Sequence, residues 1–291
     1  MSDLHEKADL KKGAFLVLVG WLFFTLLIAL SRPTSTASSV PTALLFQNLI
    51  SLICILPAMV KNGGSSWRFN KFKLIFLRTF AGYLNFAFIF LAIQRISLVN
   101  TILLRNCAPF FIPLIIWIWK KATLSYQVWL GIILGFVGIG FILKPNIAIL
   151  NEGTLFGLGS AICFAVSMIA QRRLIKTEPI PSILFYYFLL GTVVSLPFAL
   201  YTWKAMEART LIQLILIGVF SFLGQSLFLR AFQYAKPSVL STINYASVIY
   251  AAVLQWLVWK QFPDWLSIIG IFFICVGGVV TIFYSKAVAP K

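Results

Sequence analysis

One apolar stretch contains a charged residue of the type that binds anions. The segment LVNTILLRNCAPFFIPLIIWIW, residues 98–119, is apolar enough to cross a bilayer, yet it contains Arg105 followed by Asn106. A guanidinium inside a membrane span costs at least ~2.5 kcal/mol to insert, so it usually faces a cavity or a partner. Because a guanidinium binds a carboxylate or phosphate through two parallel hydrogen bonds, Arg105 is predicted to anchor an acidic ligand.

Two prolines follow Arg105 and are expected to disturb its helix. Pro109 and Pro113 lack a backbone N–H, so the carbonyls of residues 105 and 109 lose their helical donors and the helix should kink. The alternative is that Arg105 extends to the outer headgroups or caps these carbonyls. Arg78 is closer to the cytoplasmic end of its own span, and we expect its side chain to snorkel to the membrane surface.

Other polar and aromatic residues inside apolar stretches could line the same cavity. With Arg105, the predicted substrate-binding set comprises Asn106, Asn85, Tyr83, Trp21, Gln225, Asn244 and Tyr245. In membranes, amide side chains more often form hydrogen bonds between helices, and aromatic rings more often pack. A structural role therefore remains open for each member of the set.

The residue types that enzymes and metal sites need are scarce in the apolar segments. The chain has one histidine, His5 in a polar tail, and its seven acids lie in a tail, in loops or at helix ends. Its four cysteines lack CxxC spacing. We therefore expect no catalytic site, no metal and no cofactor. Proton coupling is not expected either, because arginine does not titrate in a transport pathway.

The elements that position these residues are predicted to be membrane-spanning helices. The chain is 60% hydrophobic and 11% charged, whereas soluble domains are about 25% charged. Runs of roughly 20 apolar residues, the length of one span, predict ten transmembrane helices. They are 13–31, 41–60, 74–94, 98–119, 126–143, 153–171, 181–201, 210–229, 237–259 and 265–284.

The net charge of +17 is explained by the orientation of these helices. Most of the 24 Lys and Arg residues lie on one side of the predicted spans, which places both termini in the cytoplasm. The same residues attract anionic membrane lipid. They are not interleaved with aromatic residues as in proteins that grip nucleic acid, so no nucleic-acid partner is predicted.

The chain contains an internal repeat. Gly13, Pro41 and Pro57 recur 140 positions later as Gly153, Pro181 and Pro197, and further matches follow at a shift of 139. The predicted halves are 1–150 and 151–291, each with five spans. Because five is odd, the second half enters the membrane from the opposite side, so the fold is predicted to be two inverted five-helix repeats.

The repeat predicts where a substrate would bind. Sites in inverted-repeat transporters lie near the midplane between the copies. The shift of 139 pairs Arg105 with Asn244 and Asn106 with Tyr245, so these side chains could converge there. The glycines of GIILGFVGIG (131–140) and GTLFGLG (153–159) predict close helix packing within the chain, with a homodimer contact as the alternative.

Two segments carry a resemblance to a known family. CAPFFIPLIIWIWKKATLSYQVWLGIILGFVGIG (107–140) and ASVIYAAVLQWLVWKQFPDWLSIIGIFFICVGG (246–278) resemble paired segments of the EamA family, in the drug/metabolite transporter superfamily. The resemblance implies a multi-pass transporter of the bacterial inner membrane. It also implies a pathway between spans 1, 3, 4, 6, 8 and 9, with spans 5 and 10 peripheral.

The chain departs from the family at two acidic positions and resembles one subgroup within it. Ala108 precedes Pro109, and Lys120 and Lys121 follow Trp119, where many members carry glutamates, so coupling through those carboxylates is not expected. IPSILFYYFLLGTVVSLPFA (180–199) and KQFPDWLSIIG (260–270) are similar to segments of S-adenosylmethionine uptake transporters.

The prediction is therefore a secondary transporter for a small organic anion or zwitterion, such as S-adenosylmethionine or an amino-acid-like compound. It would work by alternating access, through exchange or facilitated diffusion. A membrane scaffold subunit without transport activity and a membrane-embedded transferase remain the alternatives.

Overall fold

The computed structural model describes residues 2–62, 71–120, 125–143, 152–234, 243–261 and 264–284. All regular structure in these ranges is helical, which confirms the all-α prediction. The helices are α1 (Ser2–Ala37), α2 (Val40–Asn62), α3 (Phe72–Ile93), α4 (Leu98–Arg105), α5 (Ala108–Lys120), α6 (Tyr126–Leu143), α7 (Glu152–Leu174), α8 (Ile180–Tyr201), α9 (Ala208–Ala231), α10 (Ala246–Trp259) and α11 (Trp265–Tyr284).

These helices correspond to the ten predicted spans. Eight stretches are long and apolar enough to cross a membrane, and α4 with α5 forms one of them. The shorter apolar helices α6 and α10 supply the fifth and ninth spans. Positions 237–242, at the start of the predicted ninth span, lie outside the described residues. Large apolar side chains such as Phe76 and Ile249 are exposed on the outer surface, as expected where a helix faces lipid.

The helices pack in a pattern that is symmetric between the two halves. The first span, α1, packs on the eighth, α9, and the third span, α3, packs on the sixth, α7. The second and seventh spans, α2 and α8, pair with each other, as do the fifth and tenth, α6 and α11. Exchanging the halves leaves this set of contacts unchanged. The fold is therefore two five-helix repeats of opposite orientation.

The fourth and ninth spans are both interrupted. In the fourth span, α4 ends at Arg105 and α5 begins at Ala108, so Asn106 and Cys107 form a turn. An irregular helix was predicted here, but Pro109 does not kink a continuous helix. It lies in the first turn of α5, where its missing N–H has no helical acceptor to lose. The ninth span contains a similar turn at Asn244 and Tyr245, which the sequence analysis did not predict.

The predicted glycine contacts occur within the chain. A Cβ built on Gly277 would lie 2.6 Å from the carbonyl oxygen of Gly131, and one built on Gly138 would lie 2.8 Å from that of Gly270. Only glycine allows α6 and α11 to approach so closely. Gly157 likewise packs against Leu104. The alternative use of these glycines at a homodimer contact stays a prediction.

Candidate substrate-binding site

A small cavity lies between the two halves, near the middle of the bundle. Its lining includes Trp21 and Phe24 from α1, Arg78, Gly82, Asn85 and Phe86 from α3, Arg105 from α4, Phe164, Ser167 and Gln171 from α7, Tyr187 from α8, and Gln225 and Phe228 from α9. The volume of the cavity is about 20 Å³. This space suits one or two ordered waters and is too small for a metabolite.

Arg105 points into this cavity. Its side chain is 2% exposed, and its guanidinium carbon lies 4.1 Å from the ring centroid of Phe164 and 4.7 Å from that of Trp21. Within the described residues, its Nε and Nη1 have no hydrogen-bond partner. Aromatic faces offset about 2 kcal/mol of the penalty for a desolvated cation, whereas an uncompensated buried charge costs several kcal/mol. Arg105 is therefore positioned by its surroundings but not neutralised by them.

Arg78 lies in the same cavity, which contradicts the prediction that it snorkels. Its side chain is 1% exposed, and Nε and Nη2 donate to Gln171 Oε1 at 3.3 and 3.2 Å. Nη2 also donates to Gln225 Oε1 at 3.4 Å, and the guanidinium lies 4.3 Å from the ring centroid of Tyr187. Because α7, α8 and α9 contribute these groups, the side chain is directed into the bundle instead of toward the headgroups.

Three other predicted residues line the cavity with Arg105. Asn85 is buried and its Oδ1 has no partner, while Gln225 accepts the weak hydrogen bond from Arg78. Trp21 presents a ring face to Arg105 and donates from Nε1 to Asn244 Oδ1 at 2.7 Å. Asn244 is thus adjacent to the cavity wall but is not part of the lining. Its hydrogen bond connects α1 to the turn in the ninth span.

The remaining three predicted residues lie away from the cavity. Asn106 is buried and donates from Nδ2 to Ser247 Oγ at 2.8 Å, so it joins the interrupted fourth and ninth spans. Tyr245 is buried with its hydroxyl packed against Gly278. Tyr83 is partly buried on α3 and absent from the lining. Arg105 is the last residue of α4 and Asn106 lies in the turn that follows, so the two side chains have different neighbours.

Sequence analysis missed Arg78 and its partners, Gln171 and Tyr187. A charged residue within a span and without an acidic partner was the signal that identified Arg105, and Arg78 carries the same signal. The position of Arg78 along its span did not determine the direction of its side chain, because an arginine that snorkels and one that faces inward can lie at the same depth. The side chain's direction depends on which face of α3 the neighbouring helices cover.

The charges of the cavity are not balanced by acids. Among the described residues, its lining contains two arginines and no aspartate, glutamate or histidine. Within the described residues, the ion pair between Arg95 Nε and Glu152 Oε2, at 3.0 Å, lies at the exposed end of the bundle. The same residues contain no group of His, Cys, Asp and Glu that could hold a metal ion. The arrangement therefore suits recognition of an anion by guanidiniums and aromatic faces.

The family follows from a comparison with known sequence families. The model of the EamA-like transporter family matches residues 11–144 and again residues 151–283. The chain belongs to the EamA-like transporter family. The two matches agree with the internal repeat, and the resemblance to the drug/metabolite transporter superfamily is confirmed. Positions 144–151 lie outside the described residues, so the boundary between 1–150 and 151–291 stays a prediction.

Several EamA-like relatives are named for the metabolites that they transport. A pseudopaline exporter of Pseudomonas aeruginosa is 25% identical over 90% of this chain and 92% of its own length. An S-adenosylmethionine uptake transporter of Rickettsia bellii is 22% identical over 94% of this chain and 96% of its own. A riboflavin transporter of Vibrio cholerae is 25% identical over 88% and 89%. These relatives are transporters, and their named substrates differ widely in chemistry.

A crystal structure supports the same fold. It matches this EamA-like chain with a TM-score of 0.63 at 15% identity, over 97% of this chain and 99% of the other.

In the cavity, spans 1, 3, 4, 6 and 8 contribute side chains as the family resemblance implied. Span 7 contributes Tyr187, which was not expected, and the described part of span 9 contributes no lining residue. Spans 5 and 10 are peripheral and pack on each other.

Proposed function

We propose that this protein is a secondary transporter that moves a small organic anion or zwitterion across the bacterial inner membrane by alternating access. Arg105 would hold the acidic group of the substrate. The observation that carries the proposal is its buried guanidinium, which faces a cavity between the repeats with Nε and Nη1 unpartnered. Membership of a transporter family supports the same reading.

The surroundings of Arg105 suit binding and release in turn. Trp21 and Phe164 hold the guanidinium by ring faces, which supply no hydrogen-bond acceptor. A carboxylate would add two parallel hydrogen bonds that nothing in the cavity replaces. The remaining aromatic faces would contact the rest of the substrate. Asn85 Oδ1 also lacks a partner and could accept a hydrogen bond from a substrate ammonium or hydroxyl group.

The transport mode that fits this site is exchange or facilitated diffusion. Opening the cavity alternately to each side requires it to close in between, which would leave the unneutralised arginines desolvated when no substrate is bound. A bound anion lowers that electrostatic cost. Loaded carriers would therefore reorient faster than empty ones, which favours exchange. Among the described residues, the lining has no carboxylate or imidazole whose protonation could drive transport. Separately, the distribution of basic residues supports a cytoplasmic position for both termini.

A binding screen tests the substrate class. S-adenosylmethionine and amino-acid-like compounds carry the carboxylate that Arg105 requires. We would measure the melting temperature of the detergent-purified protein with amino acids, organic acids, nucleotides and S-adenosylmethionine. An acidic compound should raise the melting temperature, because a ligand that binds only the native state stabilises it.

Variants of Arg105 test its role. Arg105→Ala should elute as a folded protein on size-exclusion chromatography but lose the melting shift and the transport of that compound in proteoliposomes. Arg105→Lys should bind about 10-fold more weakly, because an ammonium cannot form the bidentate pair. Arg95→Gln is the matched control, since Arg95 pairs with Glu152 outside the cavity. Unchanged binding by Arg105→Ala would show that Arg105 is structural.

A further inference from the structure

Two arginines face the cavity, and we propose that the substrate carries two separated acidic groups, one bound by Arg105 and the other by Arg78. This inference rests on the proposed transport function and specifies its substrate class, an organic dianion such as a dicarboxylate. Arg105 alone would suit any carboxylate-bearing metabolite, so the class depends on Arg78.

The contacts of Arg78 hold its side chain in place without neutralising it. Gln171 and Gln225 offer neutral amide oxygens, and Tyr187 offers a ring face. Nη1 has no partner. Arginines buried in membrane proteins are usually paired with other charged groups or with backbone carbonyls, or they mark a substrate pathway. Arg78 has neither kind of partner in its hydrogen-bonded contacts, which indicates the pathway role.

The combined charge of the cavity selects against cations and monoanions. Arg78 and Arg105 give the described lining a formal charge of +2, and this lining contains no acidic side chain that would oppose it. A substrate with one carboxylate leaves one guanidinium uncompensated, whereas a dianion neutralises both. S-adenosylmethionine, in which the sulfonium and ammonium outweigh the carboxylate, would add positive charge to a positive site. The proposal therefore excludes it as the preferred substrate.

Counted along α3 and α4, the backbone positions of the two arginines lie at different depths in the bundle. Arg78 precedes the end of α3 at Ile93 by about 15 residues, which is about 22 Å at a rise of about 1.5 Å per residue. Arg105 follows the start of α4 at Leu98 by about 7 residues, or about 10 Å. The two Cα atoms are thus offset by about 12 Å along the helices. Acidic groups at the two ends of a substrate fit this offset better than a single phosphate.

Matched pairs of small acids test the proposal on the unmodified protein. The probes are succinate, glutarate and adipate, each compared with its monoamide, in which one carboxylate has become a neutral group of similar size. Inorganic phosphate and S-adenosylmethionine complete the set. We expect at least one dicarboxylate to bind about 10- to 100-fold more tightly than its monoamide, the range for losing a charged hydrogen-bond partner. Dissociation constants would come from melting-temperature titrations.

Variants then assign the preference to Arg78. Arg78→Gln should reduce the ratio between dicarboxylate and monoamide to about 1–3, with the weak binding of the monoamide retained through Arg105. Arg78→Lys keeps the positive charge and should keep part of the ratio, which also covers the case in which Arg78→Gln does not fold. Arg95→Gln should keep the full ratio, because its guanidinium lies at the exposed end of the bundle.

The outcomes separate this inference from the proposed function. The dianion proposal is overturned if every dicarboxylate binds only as tightly as its monoamide. It is also overturned if neither compound of any pair binds measurably. Phosphate or S-adenosylmethionine binding as tightly as the best dicarboxylate overturns it as well. If the monoamides bind as tightly as the dicarboxylates and the Arg105→Ala variant abolishes that binding, the proposed function stands while the second anchor fails. If binding survives Arg105→Ala, the proposed function fails as well.

Discussion

The hydrogen bond between Trp21 and Asn244 supports a quantitative prediction about how the two halves are joined. Trp21 Nε1 donates to Asn244 Oδ1 at 2.7 Å, with the two residues 1% and 8% exposed. Trp21→Phe keeps a ring beside Arg105 but removes the donor. The oxygen of Asn244 is then left inside the bundle without this hydrogen-bond donor.

The expected loss of stability follows from that geometry. Hydrogen bonds between membrane helices contribute about 0.6 kcal/mol on average and about 1.7 at most. An acceptor left buried and unpaired adds a penalty, so we expect Trp21→Phe to lower the free energy of unfolding by about 1–2 kcal/mol. Replacing both partners by apolar groups avoids the unpaired acceptor. The double variant Trp21→Phe with Asn244→Leu should therefore lose less than the sum of the single variants, by about 1 kcal/mol.

A double-mutant cycle measures this coupling. The purified wild type, both single variants and the double variant would be unfolded with denaturant in the same detergent, and their free energies of unfolding compared. Trp265→Phe is the control, because it makes the same change from indole to phenyl at a residue that is 73% exposed at the start of α11. Strictly additive losses, or an equal loss in the control, would refute the reasoning.

Three further predictions concern packing and coupling. Gly277→Ala should lower the melting temperature, because its Cβ would meet the backbone of Gly131 at 2.6 Å, whereas Gly140→Ala has open space and should change it little. Gly82→Ala should weaken substrate binding without unfolding the protein, because its Cβ would lie 2.8 Å from the ring of Tyr187 that supports a cavity arginine; binding titrations check this. Exchange in proteoliposomes should depend on the opposing substrate gradient and not on a pH gradient, since the lining has no carboxylate or imidazole; a strict pH-gradient requirement would contradict it.

The architecture was predictable from sequence because its causes are local or periodic. Apolar runs of span length define the helices, and proline and glycine matches such as Pro57 with Pro197 reveal the duplication. Pro109 also predicted an irregular fourth span. The equivalent turn at Asn244 has no proline beside it, so nothing local in the ninth span predicted the break.

The site was only partly predictable because it depends on helix rotation. Of the predicted set, Arg105, Trp21, Asn85 and Gln225 line the cavity and Tyr83 does not. Most span surfaces are apolar on every side, facing lipid or other helices, so hydrophobic periodicity does not report which face is inward. The faces of α3 that carry Arg78 and Tyr83 are distinguished by the neighbouring helices, and that arrangement is a tertiary property.

The charges of the cavity depart from the symmetry of the fold. Both arginines belong to the first repeat, and the position that matches Arg105 in the second repeat is the neutral Asn244. The groups that hold the guanidiniums come largely from the second repeat, including Phe164, Gln171 and Tyr187. Any movement of one repeat against the other must therefore change the contacts of both cations at once. A substrate that neutralises them would lower the penalty for that movement, so binding and reorientation are coupled through the same two side chains.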